Sequence, residues 1–172
     1  MSYSIPTIIR QLVSPRHELS CSWILWQRLV RELRERGRSA TRESGAFLLG
    51  TRDARRSRIS DFVLYDDLDP HCLDTGIVRF DGRYYGALWE RVERSKRSVV
   101  ADVHVHPGEA FQSDIDSRNP MIAQVGHIAL ILPHYAKSPA SHSDARVYVF
   151  EERDRWRTVS PQDTRAFFHV GL

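Results

Sequence analysis

Short apolar runs alternate with amphipathic helical patterns along this chain, and their order limits the possible fold classes. Helical spacing of apolar side chains predicts one helix that ends at Gly37 and a second helix that follows Asp81. Several strands follow each other directly, which favours a single α/β or α+β domain with a mixed β-sheet flanked by helices. Strands are predicted at five runs: GAFLLGT (45–51), RISDFVLYDDL (58–68), SVVADVHV (98–105), HIALILP (127–133) and ARVYVFEE (145–152).

Weaker signals set the remaining element boundaries. Ser20 is expected to cap the first helix, which begins near Ser22, and another helix is expected from Ser113 to about Gln124. The tail PQDTRAFFHVGL is partly apolar and is expected to dock back onto the domain. Further strands are predicted at YSIPTIIRQL (3–12), as a short edge strand, at GIVRF (76–80), and at RWRTVS (155–160), as the last strand.

Composition excludes several classes of protein. The 172 residues, 41% of them hydrophobic, suit one domain with its own core. No apolar run approaches the roughly 20 residues that span a bilayer, and the start of the chain lacks the pattern of a signal peptide. Cys21 and Cys72 form no Cys-x-x-Cys pair, so we expect reduced thiols in a cytoplasmic protein.

The charge pattern bears on the partners. The net charge is +3, and acidic residues interleave with the basic ones in RELRERGRSATR and TRDARRSR. A nucleic-acid surface normally shows a denser basic patch with aromatic residues between the charges. We therefore expect neither nucleic acid nor a membrane as a partner.

The stretch VHVHPGEAFQSDID carries the strongest chemical signal. His104 and His106 stand at the end of a predicted strand, where residues i and i+2 point to one face. Asp116 follows on the first turn of a predicted helix that begins near Ser113. Two histidines and a carboxylate, with a fourth position open, form a catalytic zinc pattern. Asp114 is a rival ligand, but it projects about 200° away from Asp116 on a helix, and the Ser-x-x-Asp spacing favours Asp116.

Two further carboxylates could serve such a site. Glu43 leads into a predicted buried strand, where a charge is costly unless it has a role, and it is the best candidate for a general base. Asp102 shares a face with His104, and could support that ligand from behind. We favour the alternative that Asp102 faces solvent or a loop. His127 and His134 flank a strand and are expected to be edge or hydrogen-bonded residues rather than ligands.

As a set, RESGAFLLG followed by VHVHPGEAFQSDID resembles the JAB1/MPN/Mov34 metalloproteases, whose JAMM motif is Glu, then His-x-His, then Ser-x-x-Asp. The resemblance extends from about residue 20 to about residue 160 and implies a cytidine-deaminase-like MPN/JAB fold. It implies His104, His106 and Asp116 as ligands of one zinc ion (Zn2+). It also implies Glu43 as the residue that moves the proton of water, and Ser113 as a donor to the oxyanion.

The resemblance also implies a substrate class. Family members cut the peptide or isopeptide bond after the C-terminal glycine of ubiquitin or a ubiquitin-like protein. The segment from His106 to Asp116 is one residue shorter than is usual in the family, and the chain has no obvious room for the insertions of eukaryotic deubiquitinases. It is therefore most similar to the compact prokaryotic JAB branch, which implies processing or deconjugation of a bacterial ubiquitin-like protein. E1- or E2-like partners and an antiphage conjugation system are implied in the same way.

An extended substrate tail would have to reach the metal, and the segment Asp66–Val78 is expected to form one wall of its groove, where β-augmentation could hold it. Two other functions remain open. One is a non-catalytic MPN-type scaffold that binds partners. The other is a related enzyme that acts on a sulfur-carrier protein, or a RadC-like protein associated with DNA.

Overall fold

A computed structural model describes residues 17–38, 41–53, 56–137, 141–152 and 155–171, and its strands form one mixed sheet. The strand predicted at 3–12 lies outside these residues. The eight strands are β1 (Leu19–Ser22), β2 (Gly45–Arg52), β3 (Ser57–Leu64), β4 (Ser98–Val105), β5 (Ile128–Leu132), β6 (Arg146–Glu152), β7 (Arg155–Thr158) and β8 (Phe168–Gly171). Across the sheet they follow the order β7-β6-β5-β4-β2-β3-β1-β8. The predicted α/β class with a mixed sheet is confirmed.

Four α-helices accompany the sheet in the described part of the chain. They are α1 (Trp23–Arg36), α2 (Tyr85–Ser95), α3 (Asp114–Arg118) and α4 (Thr164–Phe167). None of them is both long and apolar enough to cross a membrane.

The strand pairings place β4 in the middle of the sheet. β4 pairs antiparallel with β2 and parallel with β5, so both of its edges are hydrogen-bonded. β1 lies next to the edge strand β8 and runs parallel to both β3 and β8. The end of β4 is therefore held on both sides, which suits it for carrying a rigid site.

The sheet buries a different cluster of side chains on each face. Successive residues of a strand alternate between faces, so Leu48 packs beneath α1 with Trp26, whereas Phe47 packs beneath α2 with Leu88. Asp102 pairs with Phe47 and with Ala129, and therefore lies on the α2 face. His104, two residues further along β4, shares that face.

The start of α1 differs from the prediction. Ser22, not Ser20, is the N-cap, and its hydroxyl oxygen accepts a hydrogen bond from the backbone N–H of Leu25 at 3.3 Å. Ser20 lies in β1, which runs directly into the helix. Gly37 is the C-cap, as predicted.

The segment predicted as a strand at 76–80 is irregular instead. Its backbone N–H groups are bound by groups outside any sheet: that of Val78 by the Glu43 carboxylate at 3.1 Å, and that of Arg79 by the carbonyl of Cys72 at 2.8 Å. A strand would need those donors for a neighbouring strand.

The helix predicted from Ser113 to about Gln124 ends at Arg118. Pro120 explains the early stop, because a proline disfavours helical geometry in the residue before it. The predicted docking of the tail is confirmed, since α4 and β8 follow β7 and β8 pairs with β1. β7 is therefore not the last strand.

Both cysteines are buried and free of disulfide bonds. Burial raises the pKa of the Cys21 thiol and of the Cys72 thiol to about 12. These thiols behave as small apolar core groups.

Candidate metal centre

His104 and His106 stand at the carboxyl end of β4, where the sheet gives way to a turn. Both residues are buried, with 7% and 6% of their surface exposed. The backbone around them is fixed: the N–H of His106 donates to Leu132 at 2.9 Å, and its carbonyl accepts from Tyr135 at 2.7 Å. The two Nε2 atoms lie 2.9 Å apart, so the i, i+2 spacing aims both imidazoles at one point, as the sequence predicts.

Asp116 reaches the same point from α3. Ser113 is the N-cap of this short helix, and the two residues form a capping box. The Ser113 hydroxyl and the Ser113 backbone N–H both donate to Oδ2 of Asp116, at 2.7 and 2.8 Å. Ser113 therefore holds the Asp116 carboxylate in its orientation toward the histidines.

The three side chains form a compact donor cluster. Oδ1 of Asp116 lies 3.6 Å from Nε2 of His104, and Oδ2 lies 3.4 Å from Nε2 of His106. One ligand atom from each residue lies within 4.8 Å of the others. Ligands of a tetrahedral zinc ion sit about 2.0–2.2 Å from it, which places them about 3.3 Å from each other. Two imidazole nitrogens and a carboxylate oxygen at these separations fit such an ion. Asp114, the rival ligand, is exposed and lies outside the cluster.

The charges of the cluster shift the proton equilibria of its members. Burial alone would lower the pKa of His104, but the hydrogen bond and charge of Asp116 outweigh it and raise that pKa above its ordinary value. Burial alone would raise the pKa of Asp116, but hydrogen bonds from His104 and His106 hold it far below its ordinary value. The carboxylate is therefore ionised and available as a ligand.

Glu43 lies beside the cluster, two residues before the start of β2. Its Oε1 is 4.0 Å from Nε2 of His106, and only 13% of its side chain is exposed. The other oxygen, Oε2, accepts from the N–H of Val78 at 3.1 Å, and the Glu43 N–H donates to Gly76 at 2.9 Å. The carboxylate is thus fixed next to the metal position while one oxygen keeps no backbone donor among the described residues. Its role as a base stays a prediction.

Asp102 is the residue whose position the sequence analysis predicted wrongly. It does not face solvent or a loop: only 3% of it is exposed. Oδ2 accepts from the hydroxyl of Tyr65 at 3.1 Å, and Oδ1 lies 2.6 Å from Nε2 of His127. His127 is hydrogen-bonded, as predicted. The position of Asp102 in the middle of a buried strand, two residues before His104, could have indicated this buried network.

A cavity of about 760 Å³ adjoins the cluster on the α2 face of the sheet. Asp102, His104 and Asp116 contribute to it, and the rings of Tyr85 and Trp156 form part of its walls. The sequence predicts no more for Trp156 than a position in a strand. Its indole N–H donates to the carbonyl of Ser117 at 3.0 Å, which ties β7 to the helix that carries Asp116.

One of the comparisons with known proteins finds a relative that is named as a metalloprotease. No protein-family model matches the chain. The chain is 26% identical over 62 residues to a protein of Sinorhizobium fredii (strain NBRC 101917 / NGR234) named "Probable metalloprotease y4jG". The match covers 36% of this chain and 38% of that relative, so it spans little more than a third of either protein. The relative carries a metalloprotease name, and the described residues of this chain include a His-His-Asp group that could hold a metal ion.

Solved structures share the fold. Protein DSY2949 from Desulfitobacterium hafniense superposes with a TM-score of 0.64 at 13% identity, over 88% of this chain and 92% of that one. A protein from Salinibacter ruber (strain DSM 13855) superposes with a TM-score of 0.54 at 18% identity, over 82% and 88% of the two chains. At these identities the likeness concerns the fold alone.

Proposed function

We propose that this protein is a zinc-dependent peptidase or isopeptidase of the JAB1/MPN/Mov34 type, which hydrolyses the bond after the C-terminal glycine of a ubiquitin-like protein. The observation that carries the proposal is the buried cluster of His104, His106 and Asp116 with the Glu43 carboxylate beside it. The metalloprotease-like relative supports the hydrolytic class. The ubiquitin-like substrate is supported by the sequence resemblance alone.

The cluster is suited to hold the metal. His104 and His106 would bind through Nε2, since these atoms face each other, and Asp116 would bind through its carboxylate. A zinc ion bound there would polarise a substrate carbonyl and lower the pKa of water toward about 7. Ser113 keeps the carboxylate in place through its two hydrogen bonds to Oδ2.

Glu43 is placed to move the proton. As the water oxygen adds to the carbonyl carbon, the carboxylate takes a proton from it. It then passes that proton to the amine nitrogen as the C–N bond breaks. Oε2 is engaged by Val78, so Oε1, the oxygen nearer His106, is the one available. Stabilisation of the oxyanion by Ser113 would require its hydroxyl to turn away from Asp116.

The segment Asp66–Val78 is proposed as one wall of the substrate groove. Its last residue, Val78, contacts Glu43 through its backbone N–H and borders the cavity. An extended glycine-containing tail could pass between this wall and the metal. Substitutions in the wall are expected to raise KM more than they lower kcat. An E1- or E2-like protein is the proposed source of conjugates.

Metal content and cleavage test this proposal together. Wild type, Glu43→Ala and the double variant His104→Ala/His106→Ala would be purified, analysed for zinc, and assayed on a fusion with a ubiquitin-like protein. His169→Ala serves as control, because His169 is exposed, stands in β8 and lies outside both the cluster and the proposed groove wall.

We expect stoichiometric zinc in wild type, Glu43→Ala and His169→Ala, and none in the double variant. Cleavage is expected only in wild type and His169→Ala. A wild-type protein that holds no zinc and cannot be reloaded would contradict the catalytic function and would favour a partner-binding scaffold. Zinc binding without cleavage of the fusion would contradict the substrate class.

A further inference from the structure

The cavity next to the metal cluster carries two arginines that the chemistry described above does not use. Arg79 and Arg118 both line it. Within the described residues neither guanidinium has a hydrogen bond or an ion pair. This differs from Arg97 and Arg36, which are each ion-paired with a carboxylate at 2.9 Å.

Both arginines are attached to the machinery of the site. Arg79 follows Val78, whose backbone N–H binds Glu43. Arg118 lies two residues after Asp116 in α3. Both side chains line the cavity that His104 and Asp116 also line, so a group held by them would lie in the cavity next to the candidate metal site.

The acidic groups of the cavity are already engaged. Both oxygens of Asp102 have partners, in Tyr65 and His127. Both oxygens of Asp116 face the histidines. The charges left for a ligand are the two guanidinium groups, and the planar fork of arginine matches a carboxylate.

The rest of the cavity suits the stem of such a ligand. Tyr85, Ile131 and Trp156 give it apolar walls. The hydroxyl of Tyr85 donates to the carbonyl of Met121 and does not compete for a carboxylate. An apolar stem that ends in an acid would fill both parts of the cavity.

We propose that this cavity is a subsite that selects substrates with a carboxylate near the scissile bond, and that Arg79 and Arg118 bind that carboxylate. The carboxylate is either an acidic side chain of the substrate or its free C-terminus. This inference rests on the proposed peptidase function and adds a substrate class to it.

Peptide binding tests the subsite without requiring catalysis. The zinc-treated full chain carrying Glu43→Gln would be titrated into fluorescein-labelled peptides. Each peptide contains the C-terminal glycine of the proposed ubiquitin-like substrate. Each pair of peptides differs by Glu or Gln at one position, from two residues before the bond to two residues after it. A further pair has a free or an amidated C-terminus and reports on the second source of the carboxylate.

We expect one acidic peptide to bind about tenfold more tightly than its neutral partner. This ratio corresponds to the lower limit of the free energy of a hydrogen bond to a charged group. Arg79→Met and Arg118→Met should each bring this ratio toward one, and added salt should reduce it. Arg157→Met is the matched control. It removes an exposed arginine beside Trp156 that does not line the cavity, and the ratio should persist.

No charge preference in the parent protein, or a preference that survives both cavity variants, would overturn the subsite. Charge-dependent binding in a protein whose wild type cleaves nothing would overturn the proposed function and leave the subsite standing. The two failures are therefore distinguishable.

Discussion

The candidate metal site, formed by His104, His106 and Asp116, is built from two regions that are held in different ways. His104 lies in β4 and His106 directly follows that strand, which is hydrogen-bonded on both edges and buried at the end next to the site. Asp116 stands on a five-residue helix without a buried residue, held by the Ser113 capping box and by the bond from Trp156 to Ser117. The strand side is fixed by the fold as a whole, whereas the helix side depends on a few side-chain hydrogen bonds. Substitutions on the strand side should therefore lower both the stability of the fold and the metal affinity of the site. Substitutions on the helix side should lower the metal affinity with a smaller loss of stability.

The largest effect is expected from Gly45→Ala, which attacks the strand side. Gly45 pairs with His104, and a Cβ there would lie 2.2 Å from Cε2 of Tyr65 and 2.7 Å from the carbonyl oxygen of Val103. We expect the free energy of unfolding to fall by about 3 kcal/mol, which is the upper limit of the usual destabilisation by an overpacked core. The zinc affinity should fall with it. Chemical denaturation and zinc titration measure both.

Gly86→Ala is the control for that substitution. Gly86 lies in α2 with no atom within 4 Å of an added Cβ. Alanine there should stabilise the helix by up to about 1 kcal/mol and leave zinc affinity unchanged. A Gly45→Ala protein as stable as wild type would contradict the tight packing around the strand end.

A smaller and more selective effect is expected from Ser113→Ala, which attacks the helix side. The change removes the cap and one of the two donors that orient Asp116. We expect a loss of about 1 kcal/mol in unfolding free energy, together with a fall of about tenfold or more in zinc affinity. Isothermal titration with zinc and denaturation of the zinc-free protein separate the two quantities.

Ser141→Ala provides a matched comparison, because Ser141 forms the same kind of capping box with Asp144 away from the site. It should show a similar loss of stability and no change in zinc affinity. If both serine variants bind zinc like wild type, Ser113 acts only as a helix cap.

The smallest effect is a pH dependence that sharpens the contrast between the two sides. The pKa of His104 is raised, so its contribution to the zinc-free fold is complete below 6.5 and is lost as pH rises through the folded value. The pKa of Asp116 is lowered, so its contribution is present above 3.8 and is lost as pH falls through the folded value. The zinc-free protein should gain most from this pair between about pH 4 and 6.5.

Zinc should reverse the trend at the upper end, because it binds the neutral imidazole. The rise in Tm on adding zinc should be larger at about pH 8 than at about pH 6. Thermal unfolding of metal-free and zinc-loaded protein across this range checks it. An increment in Tm that does not change with pH would show that protons do not compete with zinc for His104.

The sequence predicted the strand side of the site better than the helix side, and the physical reasons are visible. SVVADVHV is a strand over residues 98–105, as predicted, because an apolar, β-branched run between polar turns has few alternatives. Helix α3 stopped at Arg118 through a local effect of Pro120 that helical periodicity does not register. The irregular course of residues 76–80 depends on a hydrogen bond to Glu43, which lies 35 residues before Val78.

The members of the cluster could be predicted, but their surroundings could not. His104, His106 and Asp116 follow from residue type and spacing. The cavity and the burial of Asp102 depend on partners such as Tyr65 and Trp156, whose positions only the packed sheet determines. Pairing of the tail with β1 is of the same kind, because nothing in FHVG indicates which strand accepts it.

That last pairing has a consequence for how the chain acquires its structure. β1 and β8 lie side by side. Nearby, the His17 ring forms a hydrogen bond with the carbonyl of Ala166, which is 149 residues away in sequence. Contacts between such distant segments require a large loop to close before they contribute any stability, and they slow folding. During synthesis β1 must therefore wait, with one edge unpaired, until almost all of the chain described here has left the ribosome. The β2–β4 part of the sheet can assemble earlier, so His104 and His106 are expected to be in place before this edge of the sheet is complete.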